Sequence, residues 1–393
     1  MSVLSWTVVL AISIGQLIKI PFGEGGVTIL DLLVGCLALM NLGSWLLVHP
    51  KPTFDKNLIN LASLGFILVA VISLIFSPIQ LTSSERLIAA SYIIRLGAFF
   101  SLLWFPNKLL SNLAIEKILI FSGVIIATLG LLQLVAFPDL QFLAAINFDP
   151  HYLRTVSSLL DPNFTGAFLS LTAVILWPKL FTKKILLADL LIFGLIYITL
   201  LTTFSRGGYL AFGAGLLTIS ILQKSPKQFI LSVILTGILL FSFKQYNGIV
   251  AVPRKIDRGQ SAAARLDTWQ QGFDIFGKYP ILGVGFNTYR FALRDLHLAD
   301  EQFLEKRGAS TNDSSLLYVA STTGVIGLGF YLAFLMGILK LGWRLKKSHT
   351  RGVILIGGLA ALLAQSFFAN TLFYPFLLIW LILYLNSVFY QSK

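Results

Sequence analysis

Apolar runs close to 20 residues long recur along nearly the whole chain, and no other feature limits its fold so strongly. A helix needs about 20 residues to cross the hydrocarbon core of a bilayer, where every backbone polar group must be satisfied within the segment. Such runs lie near 3–20, 27–48, 58–77, 87–105, 114–136 and 164–181, then near 185–204, 207–222, 228–243, 315–342, 353–371 and 373–390. The pattern predicts an all-α polytopic membrane protein of about 12 transmembrane helices. Residue usage agrees, since only 12% of the 393 residues are charged and mean hydropathy is +0.83, whereas soluble domains carry roughly 25% charged residues.

Three parts follow from the spacing: helices one to nine over 1–243, a connection over 244–314, and helices ten to twelve over 315–393. Lys and Arg in short connections report orientation, because cytoplasmic loops carry them in excess. Alternate connections hold Lys51 and Lys56, Lys108 and Lys117, Lys179 with Lys183 and Lys184, Lys224 and Lys227, and Arg344, Lys346, Lys347 and Arg351. The short connections between them hold only Arg86, Arg154 and Arg206. Both termini are therefore expected on the cytoplasmic side of the membrane that the chain crosses. Lys19 and Arg95 fall inside expected spans, where snorkelling or an internal polar partner accounts for them.

The 244–314 connection is unusual in length and carries ten of the thirty basic residues, on the side where the charge bias disfavours them. A polyanion or phosphate ligand would explain that surplus. Ala262, Leu266, Trp269, Phe273 and Phe276 recur at helical spacing, which predicts an amphipathic helix in the outer membrane interface. A second helical stretch is expected near Asn287 to Lys306, after the YPILGVGF turn at 279–286. The net charge of +13 does not imply nucleic acid as a partner, because no recognition fold accompanies it. Cys36, the single cysteine, sits in the second span and excludes an intramolecular disulfide. The first apolar run lacks a cleavage-type end and reads as a retained helix.

Three polar motifs fall on the expected outer side. In RTVSSLLDPNFTGAFL, Asp161 or Asn163 can cap the sixth span, while Arg154 upstream suggests a ligand contact. In TFSRGGYLAF, Arg206 stands between two apolar runs, where an arginine costs about 2.5–3.5 kcal/mol at a helix centre unless an anion or aqueous cavity meets it. Ser205, Gly207 and Gly208 flank it; the glycines permit a sharp turn and close backbone approach, and the guanidinium fork matches two phosphate oxygens. In AAARLDTWQQGFDIFGKYPILGVGFNTYR, Arg265 shares a helical face with Arg258, though interfacial helices are commonly basic in any case.

In this order, the motifs resemble those of the O-antigen ligase and polymerase superfamily of bacterial membrane glycosyltransferases. The resemblance covers roughly 150–375 and includes SRGG, the Arg265 to Trp269 stretch, GVGFNTY and STTGVIGLGFYL. It implies a glycosyltransferase C-like fold with a large extracytoplasmic loop over a cavity. It also implies transfer of a glycan from undecaprenyl pyrophosphate to a hydroxyl of a lipid, glycan or protein acceptor. On motif match, Arg206 and Arg265 hold the pyrophosphate, and Arg154 is a weaker third candidate.

A glycosyl pyrophosphate already carries a good leaving group, so fixed cations that meet the growing phosphate charge suffice, and neither metal nor other cofactor is expected. The attacking hydroxyl still needs a base. Ligase-branch relatives place a histidine and an asparagine shortly before the tenth span, where this chain reads Ser310, Thr311, Asn312, Asp313, Ser314. Thr311 cannot act as a base near neutral pH, which leaves His297 or Asp313. The expected function is O-antigen ligase-like transfer, with polysaccharide polymerisation as the alternative. A small-anion transporter or an inactive glycolipid-binding relative is the reading from another class.

Overall fold

The computed structural model describes residues 2–22, 26–48, 57–105, 114–182, 184–254 and 258–389, the side chains of 45–48, 250–254 and 258–263 excepted. Lys51, Lys56, Lys108 and Lys183 lie outside the described residues, as do the side chains of Arg258 and Ala262. The chain is an all-α polytopic membrane protein whose only described sheet is a two-stranded hairpin.

Its first nine helices are α1 (Val3–Ile14), α2 (Ile29–Val48), α3 (Leu58–Ile75), α4 (Ser83–Trp104), α5 (Ile115–Ala136), α6 (Pro162–Leu176), α7 (Leu187–Thr203), α8 (Arg206–Leu222) and α9 (Pro226–Arg254). The connection that follows contains α10 (Arg258–Lys278) and α11 (Tyr289–Asp295), and the chain then forms α12 (Ser315–Leu345), α13 (Thr350–Gln365) and α14 (Pro375–Phe389). Among the described residues, six helices have the length and apolar character to cross a membrane, and six shorter apolar helices accompany them.

Helix α14 is buried along nearly its whole length, and α6 is largely buried, so these two form the centre. Helix α9 is the opposite case: Ile230, Val233, Ile234, Ile238 and Phe241 are all exposed on it. Water would penalise that surface by about 25 cal/mol per Å² of apolar area, whereas lipid does not.

The two ends of the bundle differ in their polar chemistry. At one end Glu116 receives Lys179 at 3.4 Å and Arg351 at 3.1 Å, and Arg351 also donates to the Ser387 carbonyl. At the other end the α1–α2, α3–α4, α5–α6, α7–α8 and α13–α14 connections are tied to one another or to the 258–314 segment. Gln16 donates its backbone N–H to Ser158, Gln80 to the Asp295 carboxylate, and Ser315 to Ser366.

Several elements depart from the expected ranges. Helix α1 stops at Ile14 rather than near 20, because Gly15 turns at φ 61 and any Cβ there would meet the Ser158 carbonyl oxygen at 2.4 Å. Lys19 consequently lies in the hairpin, Lys19–Ile20 pairing with Val27–Thr28, and not in a span. Arg95 does have an internal partner, the Asp31 carboxylate, in a two-bond pair at 2.7 and 2.9 Å. Helix α9 continues to Arg254, well beyond residue 243. The stretch from Asn287 to Lys306 is not one helix but α11, a single turn at Glu301–Leu304 and irregular chain.

Helix α12 is broken at Gly324, whose φ of 64 interrupts the helix inside an apolar run. The YPILGVGF turn fills the break. Val284 and Gly285 donate to the Ser321 and Thr322 carbonyls, Val325 donates to Pro280, and Ser73 from α3 donates to Leu282 and Thr322. Backbone groups freed by the break are thus met by protein, the condition under which irregular chain is tolerated at membrane depth. On α10 the face turned inward is Thr268, Gly272 and Ile275, with Gly272 against Leu317 and Asn312. Of the expected apolar stripe, Leu266 and Phe273 point away, 66% and 56% exposed, while Trp269 and Phe276 are half-buried.

Candidate active site

The SRGG stretch is a helix start rather than an open turn. Phe204 ends α7 in the left-handed region at φ 46, and α8 begins two residues later at Arg206. Ser205 caps α8: its hydroxyl accepts from Gly208 N at 3.1 Å and donates to Asn163 Oδ1 at 2.8 Å, joining the starts of α8 and α6. Both glycines stand in close contact with neighbouring groups. A Cβ on Gly208 would lie 3.0 Å from Gly166 Cα, and one on Gly207 would lie 2.5 Å from Gln365 Oε1. Arg206, half-buried in the first turn, carries its guanidinium 5.3 Å from the Phe243 ring centre.

Asp161 caps α6, accepting from Asn163 N at 2.6 Å and Phe164 N at 3.1 Å, with Pro162 in the first helical position. Burial raises its carboxyl above the usual range, against the backbone donors that favour the charged form. Arg154 is 6% exposed and is placed beneath the α7–α8 turn, where Nε donates to the Thr203 carbonyl at 2.8 Å and Nη2 to that of Phe204 at 3.1 Å. The two bonds satisfy carbonyls that the end of α7 leaves open.

Arg265, on α10, faces Asp313 just ahead of α12. Nε lies 3.9 Å from Asp313 Oδ2, a charge contact longer than a hydrogen bond, and the guanidinium sits 5.8 Å from the Phe368 ring centre. Desolvation pushes the Asp313 carboxyl up to about 6; Arg265 and Thr268 oppose that shift, while Asp161 and Asp149 add to it. Asn312 is fully buried and ties three elements together. Its Nδ2 donates to the Thr268 carbonyl and to Tyr289 Oη, and its Oδ1 accepts from Ser314 N at 2.8 Å. Asn312 thereby fixes the backbone on which Asp313 stands. Thr311 accepts from Asn370 Nδ2 at 2.5 Å.

His297 is placed apart from this group. It occupies a left-handed position (φ 53) after α11, is exposed, and no hydrogen bond or ion pair joins its ring to another described residue. The adjacent turn is held to α4 through Arg294 and Glu85 at 2.6 Å. Of the two base candidates, Asp313 is the one in contact with Arg265.

The α13–α14 connection links the two arginine regions, and this role was not apparent in the sequence. Gln365 lies against Gly207 and donates Nε2 to the Asn163 carbonyl at 3.3 Å; its Oε1 is buried with no hydrogen-bond partner among the described residues. Ser366 and Ala369 engage Ser315 and Ser314, and Phe368 faces Arg265. Tyr374 stacks on Phe164 at 3.8 Å and donates to the Leu159 carbonyl. Gln365 and Asn370 were visible as polar residues within an apolar run, which is itself a signal of function or of buried pairing.

Residues 190–332 match the family model described as O-antigen ligase, which supports membership of the O-antigen ligase/polymerase superfamily. The match runs from α7 into α12 and contains Arg206, Arg265, His297, Asn312 and Asp313. Arg154, Asp161 and Asn163 lie before it, and the α13–α14 connection lies after it. No curated protein matches the chain.

Proposed function

We propose that this O-antigen ligase/polymerase-type membrane glycosyltransferase moves a glycan from undecaprenyl pyrophosphate to an acceptor hydroxyl on the outer side of the bacterial plasma membrane. The observation that carries the reading is the 365–368 segment, which touches both the Arg206 helix start and the Arg265–Asp313 pair at one end of the bundle.

The acceptor hydroxyl attacks the anomeric carbon and gives its proton to Asp313, while the bond from that carbon to the pyrophosphate oxygen breaks. Undecaprenyl pyrophosphate leaves with the bonding pair, and Arg206 and Arg265 stabilise its growing charge through charge-assisted hydrogen bonds. A carboxyl with a pKa of about 6 is ionised at neutral pH and more basic than an ordinary aspartate, which suits this task. Asp161, Asn163, Ser205, Gly207, Gly208 and Asn312 hold the two arms, and Arg154 secures the turn between α7 and α8. No step calls for a metal or a cofactor. Ligation to lipid or protein and polymerisation onto a growing glycan share this chemistry and differ in the acceptor.

A small-anion carrier is the reading from another class, and the broken helix α12 is the feature it would draw on. The carbonyls freed there are occupied by the 279–285 turn, which argues for the transferase. The test uses purified protein in nanodiscs with a polyprenyl pyrophosphate glycan and candidate acceptors, following product and released carrier. Arg206→Ala and Arg265→Ala are expected to abolish transfer in folded protein. A wild-type rate in either removes that arginine from the site.

A further inference from the structure

A second cationic group lies at the same end of the bundle, built from three separate segments. Lys19 Nζ from the hairpin sits 4.7 Å from the centre of the Phe148 ring, and Arg307 Cζ from the end of the long connection sits 4.0 Å from the same centre. Phe148 belongs to the α5–α6 connection. Three other cations at this end meet carboxylates, Arg95 with Asp31, Arg294 with Glu85 and Arg265 with Asp313, and Arg154 meets backbone carbonyls. Lys19 and Arg307 form no ion pair or side-chain hydrogen bond with a described residue.

Two like charges brought to one ring and partly stripped of water oppose each other, and each is pushed toward its neutral form. Desolvation lowers both groups, and Arg307 lowers Lys19 further. The attraction of a phenyl face offsets part of that cost, and an anion held between the two would offset the rest. Arg307 is also within electrostatic reach of Asp149, Asp161, Tyr92 and Tyr374. Exposed Asp149 opposes a multiply charged anion more than a singly charged one. A singly charged group on a polyhydroxylated ring suits the surroundings better: its carboxylate meets the cations, its hydroxyls can donate to exposed Asp149, and flat rings lie alongside.

We propose that Lys19 and Arg307, gathered on Phe148, form a subsite for a carboxylate-bearing sugar of the glycan, so that the transferase prefers an acidic glycan. The proposal rests on the transferase reading for its substrate class. Arg307 precedes Asp313 by six residues, so a sugar seated there is carried on the same stretch of chain as the proposed base.

The test is equilibrium binding of two probes to the full-length protein in phosphatidylcholine nanodiscs: a hexuronate-containing oligosaccharide and the same oligosaccharide with its carboxyl reduced to the alcohol. Wild type should bind the acidic probe about tenfold more tightly, the contribution of roughly one charge-assisted hydrogen bond. The preference should collapse toward one in Lys19→Gln/Arg307→Gln and be partly kept in Arg307→Lys, which also controls for folding. Equal binding of both probes by wild type, or a preference that survives in the double variant, overturns the proposal. A preference that vanishes when phosphatidylglycerol is added, without competition by the acidic probe, assigns the cations to lipid headgroups and also overturns it. Because binding is read without turnover, loss of the transferase reading is distinguishable: an acidic preference with no transfer keeps the subsite and removes the reaction.

Discussion

Ser205 donates its hydroxyl to Asn163 Oδ1 at 2.8 Å while accepting the N–H of Gly208, so one serine holds the first turns of two helices together. The Arg206 guanidinium is aimed by that turn. An arginine that must meet a phosphate within hydrogen-bond tolerance needs its backbone fixed more tightly than an isolated helix end provides.

Ser205→Ala removes the cap and should lower stability by about 1 kcal/mol, the usual cost of losing an N-cap. Asn163→Ala leaves the cap but frees it from α6. Transfer rates in both variants should fall while each remains folded, and thermal unfolding in nanodiscs alongside the rate measures the two effects. Unchanged turnover in Asn163→Ala would show that the tie does not position Arg206.

The two glycines of this turn should respond differently to a methyl group. On Gly208 it meets the Gly166 backbone, which cannot retreat without separating α6 from α8; Gly208→Ala should cost about 1–3 kcal/mol. On Gly207 it meets the end of the Gln365 side chain. Gly207→Ala should therefore be milder, and Gly207→Ala/Gln365→Ala should recover part of the loss. Equal melting temperatures for the two single variants would contradict this account.

Length and residue type were enough to locate the twelve apolar helices found among the described residues, because a bilayer imposes a long, uniform signal. Contacts between distant segments leave no such signal. Gly15 looks like any glycine in an apolar run, yet the Ser158 carbonyl against it ends α1 and puts Lys19 in a hairpin. Gly324 likewise breaks α12 because the 279–285 turn is hydrogen-bonded into it. Arg206, Arg265 and Asp313 stood out as candidates because charge beside membrane spans is costly and therefore informative. Gln365 was passed over although it is a polar residue within an apolar run, since what marks it in the fold is its contact with Gly207. Arg154 was a weaker candidate than Arg206 in the sequence, and its guanidinium is committed to backbone carbonyls.

That commitment predicts a separation between the two arginines. Arg154→Ala leaves the Thr203 and Phe204 carbonyls without these donors, at about 1–3 kcal/mol for each one left buried. Arg154→Lys should recover little, because one ammonium cannot reproduce a two-pronged fork. The residual activity of Arg154 variants should track the folded fraction at each temperature. Arg206→Ala should instead lose turnover at full folding, so parallel melting and rate curves tell the two roles apart.

The Asp313 carboxyl supplies a pH signature. Raised from 3.8 to about 6, it must lose its proton to act as a base, so turnover should climb as pH rises through about 6 and then level. Arg265 opposes the raising, and Arg265→Gln should move the acidic limb of any residual activity upward; Asp313→Asn should remove transfer, while His297→Ala should leave it. Stability runs the other way. The folded state holds this proton more tightly than the unfolded chain, so the contribution is fully present below about 3.8 and is lost as pH rises through about 6. Titrating Asp313→Asn against wild type over pH 4–7, by rate and by thermal unfolding, reads both effects. A rate limb that persists near 6 in Asp313→Asn, or vanishes in His297→Ala, would give the base to another group.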